Sequence, residues 1–263
     1  MNYKIFFFLF WILTPFIIYY SINLFHFNEK QIQKLSNNYN LKSKKVLLIF
    51  AHPDDECMFF GTTIQILEKN GFEIHWLCLS TGNYRNQGEK RKIELLESGT
   101  IFNIPKNKIH IYDHPQIQDG YPFNESLIAE IIENEIDSLD INFIITFDEN
   151  GISNHKNHIS IFNSIQKVLE HRNNNKIPGK SLLVLKLKTV SVFRKYLSFL
   201  DFFLDQLKCL FFNNKNHFSI TFFSLPFQSI QAMLQHKSQL VWFRYLYVIF
   251  SRYMFLNTLE LIE

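Results

Sequence analysis

The chain has 263 residues, which is one large domain or two small ones, and its 47% hydrophobic and 19% charged residues suffice for a substantial buried core. A net charge of +3, carried by scattered lysines without aromatic interleaving, excludes a nucleic-acid-binding surface. The cysteines Cys57, Cys78 and Cys209 are odd in number, far apart and free of any C-x-x-C pair, so a disulfide framework is not expected and the thiols read as reduced.

In chain order, Ile5 to Phe27 is almost wholly apolar and matches the roughly 20 residues of a transmembrane helix. Its exit lacks a small-x-small site, which disfavours a cleaved signal peptide. Lys4 precedes it and Lys30, Lys34, Lys42, Lys44 and Lys45 follow, so the positive-inside rule places the bulk of the chain in the cytosol. The polar stretch 28–43 reads as a linker. From Lys44 onward strand-like and helix-like segments alternate: strands over 46–51, 73–80, 109–113, 141–147 and 181–190, and helices over 58–70, 89–102, 125–139 and 155–171. This alternation predicts an α/β fold with a mostly parallel sheet covered on both faces. The last third is less regular. Two very apolar segments, 193–212 and 229–255, read as core helices, with docking of 197–212 or 240–256 on a lipid surface as the second reading, and 219–223 reads as an edge strand. Arg244 and Arg252 interrupt the second segment. The 29 phenylalanines reflect a compositional bias, so single Phe positions carry little weight.

The chemistry concentrates where predicted strands end. His52-Pro53-Asp54-Asp55-Glu56 follows the first strand, and the edge beyond the carboxyl ends of an open α/β sheet is where ligands bind. His155 and His158 follow another strand that ends at Asp148. Alone, the first cluster could be a polar turn with an Asp cap, and the second a solvated helix start. Together they supply two His and one Asp for a divalent metal and leave a carboxylate and an imidazole for proton transfer and oxyanion binding, which is the inventory of a zinc hydrolase. Asp54 and Asp55 are adjacent, so one can face the metal while the other faces water. Zinc is the first expectation for such ligands, with iron and manganese able to use the same set. Cys57 reads as a buried small residue. The loop Thr81–Glu89 contains Gly82 and Gly88 and opens a helix on the same sheet edge. On composition alone it reads as a plain βα loop; its place beside the first cluster makes Arg85, Asn86 and Arg91 candidate substrate contacts, with Arg85 or Arg91 and the loop's backbone N–H groups able to hold a phosphate.

These motifs resemble the N-acetylglucosaminyl-phosphatidylinositol de-N-acetylase family within the LmbE-like deacetylase superfamily. The resemblance rests on AHPDDECMFF (51–60), TGNYRNQGEKRKIELL (81–96), ITFDENGISNHKNH (145–158), FRKYLSFLD (193–201) and HKSQLVWFRYLYVIFSRYM (236–254). It implies a Rossmann-like fold preceded by one N-terminal transmembrane helix, divided into an anchor (1–27), a linker (28–43) and a catalytic domain (44–263). It also implies residence in the endoplasmic reticulum membrane with the catalytic domain facing the cytosol. The implied reaction removes the N-acetyl group of N-acetylglucosaminyl-phosphatidylinositol, giving the glucosaminyl lipid and acetate. Carried onto this sequence, His52, Asp55 and His158 match metal ligands, Asp54 the general base, His155 the residue that steadies the oxyanion, and Arg91 a substrate contact. The stretch 148–154 departs from the family's Gly-rich pattern, and Glu149 is expected to affect substrate access or metal affinity. The rival readings are a deacetylase of another N-acetyl sugar conjugate and a non-catalytic membrane scaffold.

Overall fold

The structure is a computed structural model and describes residues 26–39, 43–174, 182–211 and 217–262. The expected span Ile5–Phe27 lies outside the described residues apart from its last two positions. Among the described residues no helix is long and apolar enough to cross a membrane. The stretch read as a linker is largely helical: α1 covers 26–38. It belongs to the folded domain, because Leu35 is buried and the Asn28 side chain both donates to the Phe223 carbonyl (2.8 Å) and accepts from the Phe223 N–H (3.0 Å).

The elements that follow are β1 (Lys45–Phe50), α2 (Asp55–Phe59), α3 (Gly61–Lys69), β2 (Glu73–Cys78), α4 (Gly88–Ile101), β3 (Ile109–Ile111), α5 (Glu125–Leu139), β4 (Phe143–Phe147), α6 (Gly151–Asn154), α7 (Lys156–Asn174) and β5 (Leu183–Leu187). The strands KVLLIF and FIITF are nearly continuous hydrophobic runs because a parallel sheet buries both faces. The seven-stranded sheet has the order β3-β2-β1-β4-β5-β7-β6, with β3 through β5 parallel. From β1 the chain winds outward through β2 to β3, then returns to the other side of β1 with β4. Right-handed crossovers in the two directions place the connecting helices on opposite faces. The order reverses between β1 and β4, so their carboxyl ends open the crevice where such folds bind ligands.

The C-terminal third departs most from expectation. The two long helices resolve into α8 (Val192–Lys195), α9 (Asp201–Phe211), α10 (Phe227–Met233) and α11 (Trp242–Phe250), with β6 (Ser219–Phe223) at the sheet edge and β7 (Leu256–Leu261) between β5 and β6. Strand β7 runs antiparallel to both neighbours. The break between α10 and α11 is held from outside the segment: the Ser238 N–H and hydroxyl both donate to Glu94 (2.8 and 2.6 Å), and His236 turns inward to Glu56 (2.6 Å). The expected core role fails for α11. Tyr247 is its buried residue, while Trp242, Phe243, Tyr245, Leu246, Ile249 and Phe250 are exposed.

Candidate active site

The loop after β1 and the loop after β4 meet at the switch point. Asp55 opens α2 and is buried. Its Oδ2 accepts the backbone N–H groups of Ala51 (3.1 Å) and His52 (2.9 Å) and lies 3.3 Å from His158 Nε2 and 3.8 Å from His52 Nδ1. Burial alone would raise its pKa, but the adjoining His158 and His52 outweigh that and hold it well below the usual carboxylate range. Donor atoms of His52, Asp55 and His158 all lie within 4.8 Å of one another, close enough for one metal ion.

The surroundings fix which nitrogens face that point. His158 Nδ1 is 2.9 Å from the Gly151 carbonyl, so it carries the proton and donates, leaving the Nε2 lone pair toward Asp55. Its ring stacks on Phe147 at 3.8 Å and 2°. His52 Nε2 lies 3.4 Å from Asp119 Oδ1, and donation there leaves Nδ1 as the inward lone pair. Asn157, 3.1 Å from the same nitrogen, adds a second polar neighbour. Two imidazole lone pairs and a carboxylate, each oriented by an outer hydrogen bond, suit a divalent cation with an open position.

As adjacent residues do, Asp54 and Asp55 diverge. Asp54 adopts a left-handed backbone conformation (φ 108°, ψ −22°), with its N–H donating to Glu56 Oε2 at 2.9 Å. Its Oδ2 accepts from Arg244 (2.9 Å), and Arg91 lies 3.8 Å from Oδ1. Burial pushes the Asp54 pKa up against the pull of these two guanidinium groups. His155 does not start the helix as expected. It is the extended residue before Lys156, and its ring centroid lies 4.5 Å from that of His158 and 5.5 Å from that of His52. Burial, reinforced by the His158 imidazole beside it, drives its pKa down to about 4, so it is a neutral imidazole at pH 7.

Both His52 and His155 line a cavity of about 800 Å³ together with Asp54, Asp55, His158 and Arg91. Arg91 is buried and braces the loop wall by donating to the carbonyls of Gly82 (3.1 Å) and Pro53 (2.5 Å). Arg85 and Asn86 are exposed and do not line this cavity; Arg85 borders a smaller neighbouring hollow that shares Arg91, Asp119 and Arg244. Glu149 is exposed and pairs with Lys186 at 2.7 Å, away from the cavity lining, so the effect expected of it is not supported.

The turn before His155 is a run of positive φ at Gly151 (55°), Ile152 (45°), Ser153 (74°) and Asn154 (57°). Gly151 is required there, since a Cβ would lie 3.0 Å from His158 Cβ. Asp148, at the strand end, accepts from the N–H groups of Asn150 (3.2 Å), Gly151 (3.0 Å) and Thr189 (2.6 Å) and so holds this loop in place. Three further site residues had no signal that spacing could supply: Asp119, from the long loop before α5, Asn157, and Arg244.

A mostly parallel α/β sheet with His52, Asp55 and His158 gathered at its switch point, and a buried carboxylate and an imidazole beside them, defines an α/β fold of the open-sheet class with a candidate divalent-metal site. Among solved structures, the N,N'-diacetylchitobiose deacetylase of Pyrococcus horikoshii superposes with a TM-score of 0.58 at 15% identity, covering 84% of each chain. The family model "PIG-L: GlcNAc-PI de-N-acetylase" matches residues 47–169. The N-acetylglucosaminyl-phosphatidylinositol de-N-acetylase of Bos taurus is 37% identical over 218 residues, 82% of this chain and 83% of that one. The probable enzyme of the same name from Dictyostelium discoideum is 36% identical over 255 residues, 88% and 98% of the two chains. The chain belongs to the GlcNAc-PI de-N-acetylase family.

Proposed function

We propose that this protein is a metal-dependent hydrolase that removes the N-acetyl group from N-acetylglucosaminyl-phosphatidylinositol, yielding glucosaminyl-phosphatidylinositol and acetate in glycosylphosphatidylinositol anchor synthesis. The observation that carries the reading is the meeting of His52, Asp55 and His158 beside Asp54 and His155 in one cavity, in a chain whose relatives bear that enzyme's name.

His52, Asp55 and His158 would hold the cation, with zinc the first choice for a two-His, one-carboxylate set. When bound, such an ion polarises an amide carbonyl and lowers the pKa of water toward ~7. The other steps belong to the chain's own groups. Asp54 Oδ2 is engaged by Arg244, so Oδ1 is the oxygen available to take a proton from the attacking water. As the water oxygen bonds to the acetyl carbon, the carbonyl oxygen gains charge, and the neutral His155 donates an N–H to it. Collapse breaks the C–N bond. Asp54 returns its proton to the departing amine, and acetate is released. Arg91 contacts the sugar-phosphate end.

The site of action is the endoplasmic reticulum membrane, with residues 1–27 as the anchor, 28–43 leading into the domain, and the catalytic domain on the cytosolic face. A two-chain lipid stays in the bilayer, so the enzyme must come to it.

The test is acetate release from N-acetylglucosaminyl-phosphatidylinositol by the full chain and by Asp54→Asn. Activity in the parent and a loss of ~10²–10⁴-fold in the variant are expected of a general base. Equal rates in both would remove Asp54 from that role, and no release by the metal-loaded parent would exclude the substrate.

A further inference from the structure

The cavity opens onto an apolar surface that the proposed chemistry does not use. Along α11 the sequence WFRYLYVIF interrupts its apolar run once, at Arg244, and Arg244 points inward to Asp54. Trp242 is 74% exposed and Ile249 57%. The same helix supplies Trp242, Phe243, Leu246 and Phe250 to the cavity wall, so this face and the catalytic mouth are continuous.

The patch extends beyond α11. Lys195 and Tyr196, at the end of α8, line the same cavity, and Val192 and Phe193 in α8 are each 74% exposed. The turn after α8 is tied to α11 by a hydrogen bond from the Ser198 hydroxyl to the Ile249 carbonyl (2.9 Å). It carries exposed Phe199 and Leu200 and leads into α9, where Phe203 is exposed as well. Phe202 of α9 meets Phe27 at the start of α1, with ring centroids 5.2 Å apart. The apolar segment 5–27 therefore joins the domain at the border of this patch. A soluble surface rarely gathers so many exposed aromatic side chains in one place. Trp and Tyr are the residues that settle at the lipid headgroup level.

We propose that α11, α8 and the turn before α9 form a bilayer-docking face that sets the catalytic mouth against the membrane surface. Two features select a bilayer as the occupant: the patch borders the point where the apolar segment 5–27 enters the domain, and it is continuous with the catalytic mouth. Exposed cations, Arg85 beside the cavity and Lys237 before α11, suit anionic headgroups. The exit of acyl chains across this face rests on the substrate reading above; the bilayer contact does not.

Fluorescence quenching separates the two. The chain has three tryptophans. Trp76 is fully buried, and Trp11 lies in the apolar N-terminal segment. The full chain carrying Trp11→Phe is reconstituted into phosphatidylcholine vesicles with ordinary or brominated acyl chains, without substrate. Emission about twofold lower in the brominated vesicles is expected for a side chain seated at the headgroup–acyl boundary, and a further Trp242→Phe change should abolish the difference. Equal emission in both vesicles would overturn the proposal, and is the outcome if residues 5–27 or a second copy cover the face. In addition, Val192→Ser/Phe193→Ser/Ile249→Ser should lower hydrolysis of vesicle-embedded substrate by about tenfold while leaving hydrolysis of a water-soluble N-acetylglucosaminyl-inositol phosphate that lacks the two fatty-acyl chains at the parental rate. Equal loss on both compounds, or loss on neither, would count against docking. Quenching in a parent that hydrolyses neither compound would sustain docking and defeat the substrate reading.

Discussion

The guanidinium of Arg244 lies 2.9 Å from Asp54 Oδ2 and reaches it from a helix 190 residues further along the chain. Asp54 is buried at the cavity wall, and burial alone favours its neutral form. Arg244 and, at longer range, Arg91 oppose that without overcoming it and aim the carboxylate into the cavity. Arg244→Gln is expected to lower kcat by about 10²-fold, the scale of a misplaced catalytic group, with a smaller effect on KM. Arg244→Lys should recover part of the loss, since it restores the charge but not the planar fork. Steady-state kinetics on the three proteins checks this. A change confined to KM would make Arg244 a substrate contact only.

Gly151 links backbone strain to the metal triad. Its carbonyl accepts from His158 Nδ1 at 2.9 Å, and its φ of 55° leaves no room for a Cβ. Gly151→Ala should cost about 1–3 kcal/mol of stability and loosen His158 as a ligand. The expected reading is a drop in bound divalent metal below one equivalent after dialysis, accompanied by a lower unfolding midpoint. Full occupancy with an unchanged midpoint would show that the loop relaxes without disturbing the ligand.

The lysines that follow the apolar N-terminal segment predict a cytosolic catalytic domain. A glycosylation acceptor fused after residue 263 should stay unmodified in microsomes, and one fused before residue 1 should be modified. A modified C-terminal tag would invert the orientation.

How much of this was legible in the sequence depended on whether local pattern or distant partners decided the structure. The parallel strands carry their own signature, and α5 follows its predicted bounds, with Asn124 capping its start by accepting from Ser126 and Leu127. The two clusters could be brought together in advance because both sit at strand ends, and a switch point unites such ends; the choice of Asp55 over Asp54 and of His158 over His155 as ligands came from the family resemblance. The C-terminal third could not be read that way. Its apolar run has no period that distinguishes a buried from an exposed face, and its break is set by Glu94 and Glu56, which lie more than 140 residues earlier. Arg244 was visible as a charge in an apolar helix, but nothing local indicates that it turns toward Asp54. Asp119 reaches His52 from a loop with no periodic pattern at all.

Beneath the site, Glu56 joins the motif to the C-terminal segment. Its Oε2 accepts the N–H of Asp54 (2.9 Å), while Oε1 accepts from Ser98 and meets His236 Nε2, both at 2.6 Å. Glu56 and His236 are both fully buried. The His236 side chain raises the acidity of Glu56 against the effect of burial, keeping it an acceptor for the strained Asp54 backbone. Removing one partner of such a pair leaves the other enclosed and uncompensated, at a cost of about 3–5 kcal/mol. His236→Ala should therefore lower the unfolding midpoint by about 10 °C, given roughly 2–4 °C per kcal/mol for a domain of this size. Ser98→Ala removes one hydrogen bond to a charged group and should cost about 1.5–3 kcal/mol. Thermal unfolding of both variants decides the matter. Equal shifts would mean that the imidazole acts as an ordinary hydrogen-bond partner, and the absence of any shift in His236→Ala would remove Glu56 from its place as the support of Asp54.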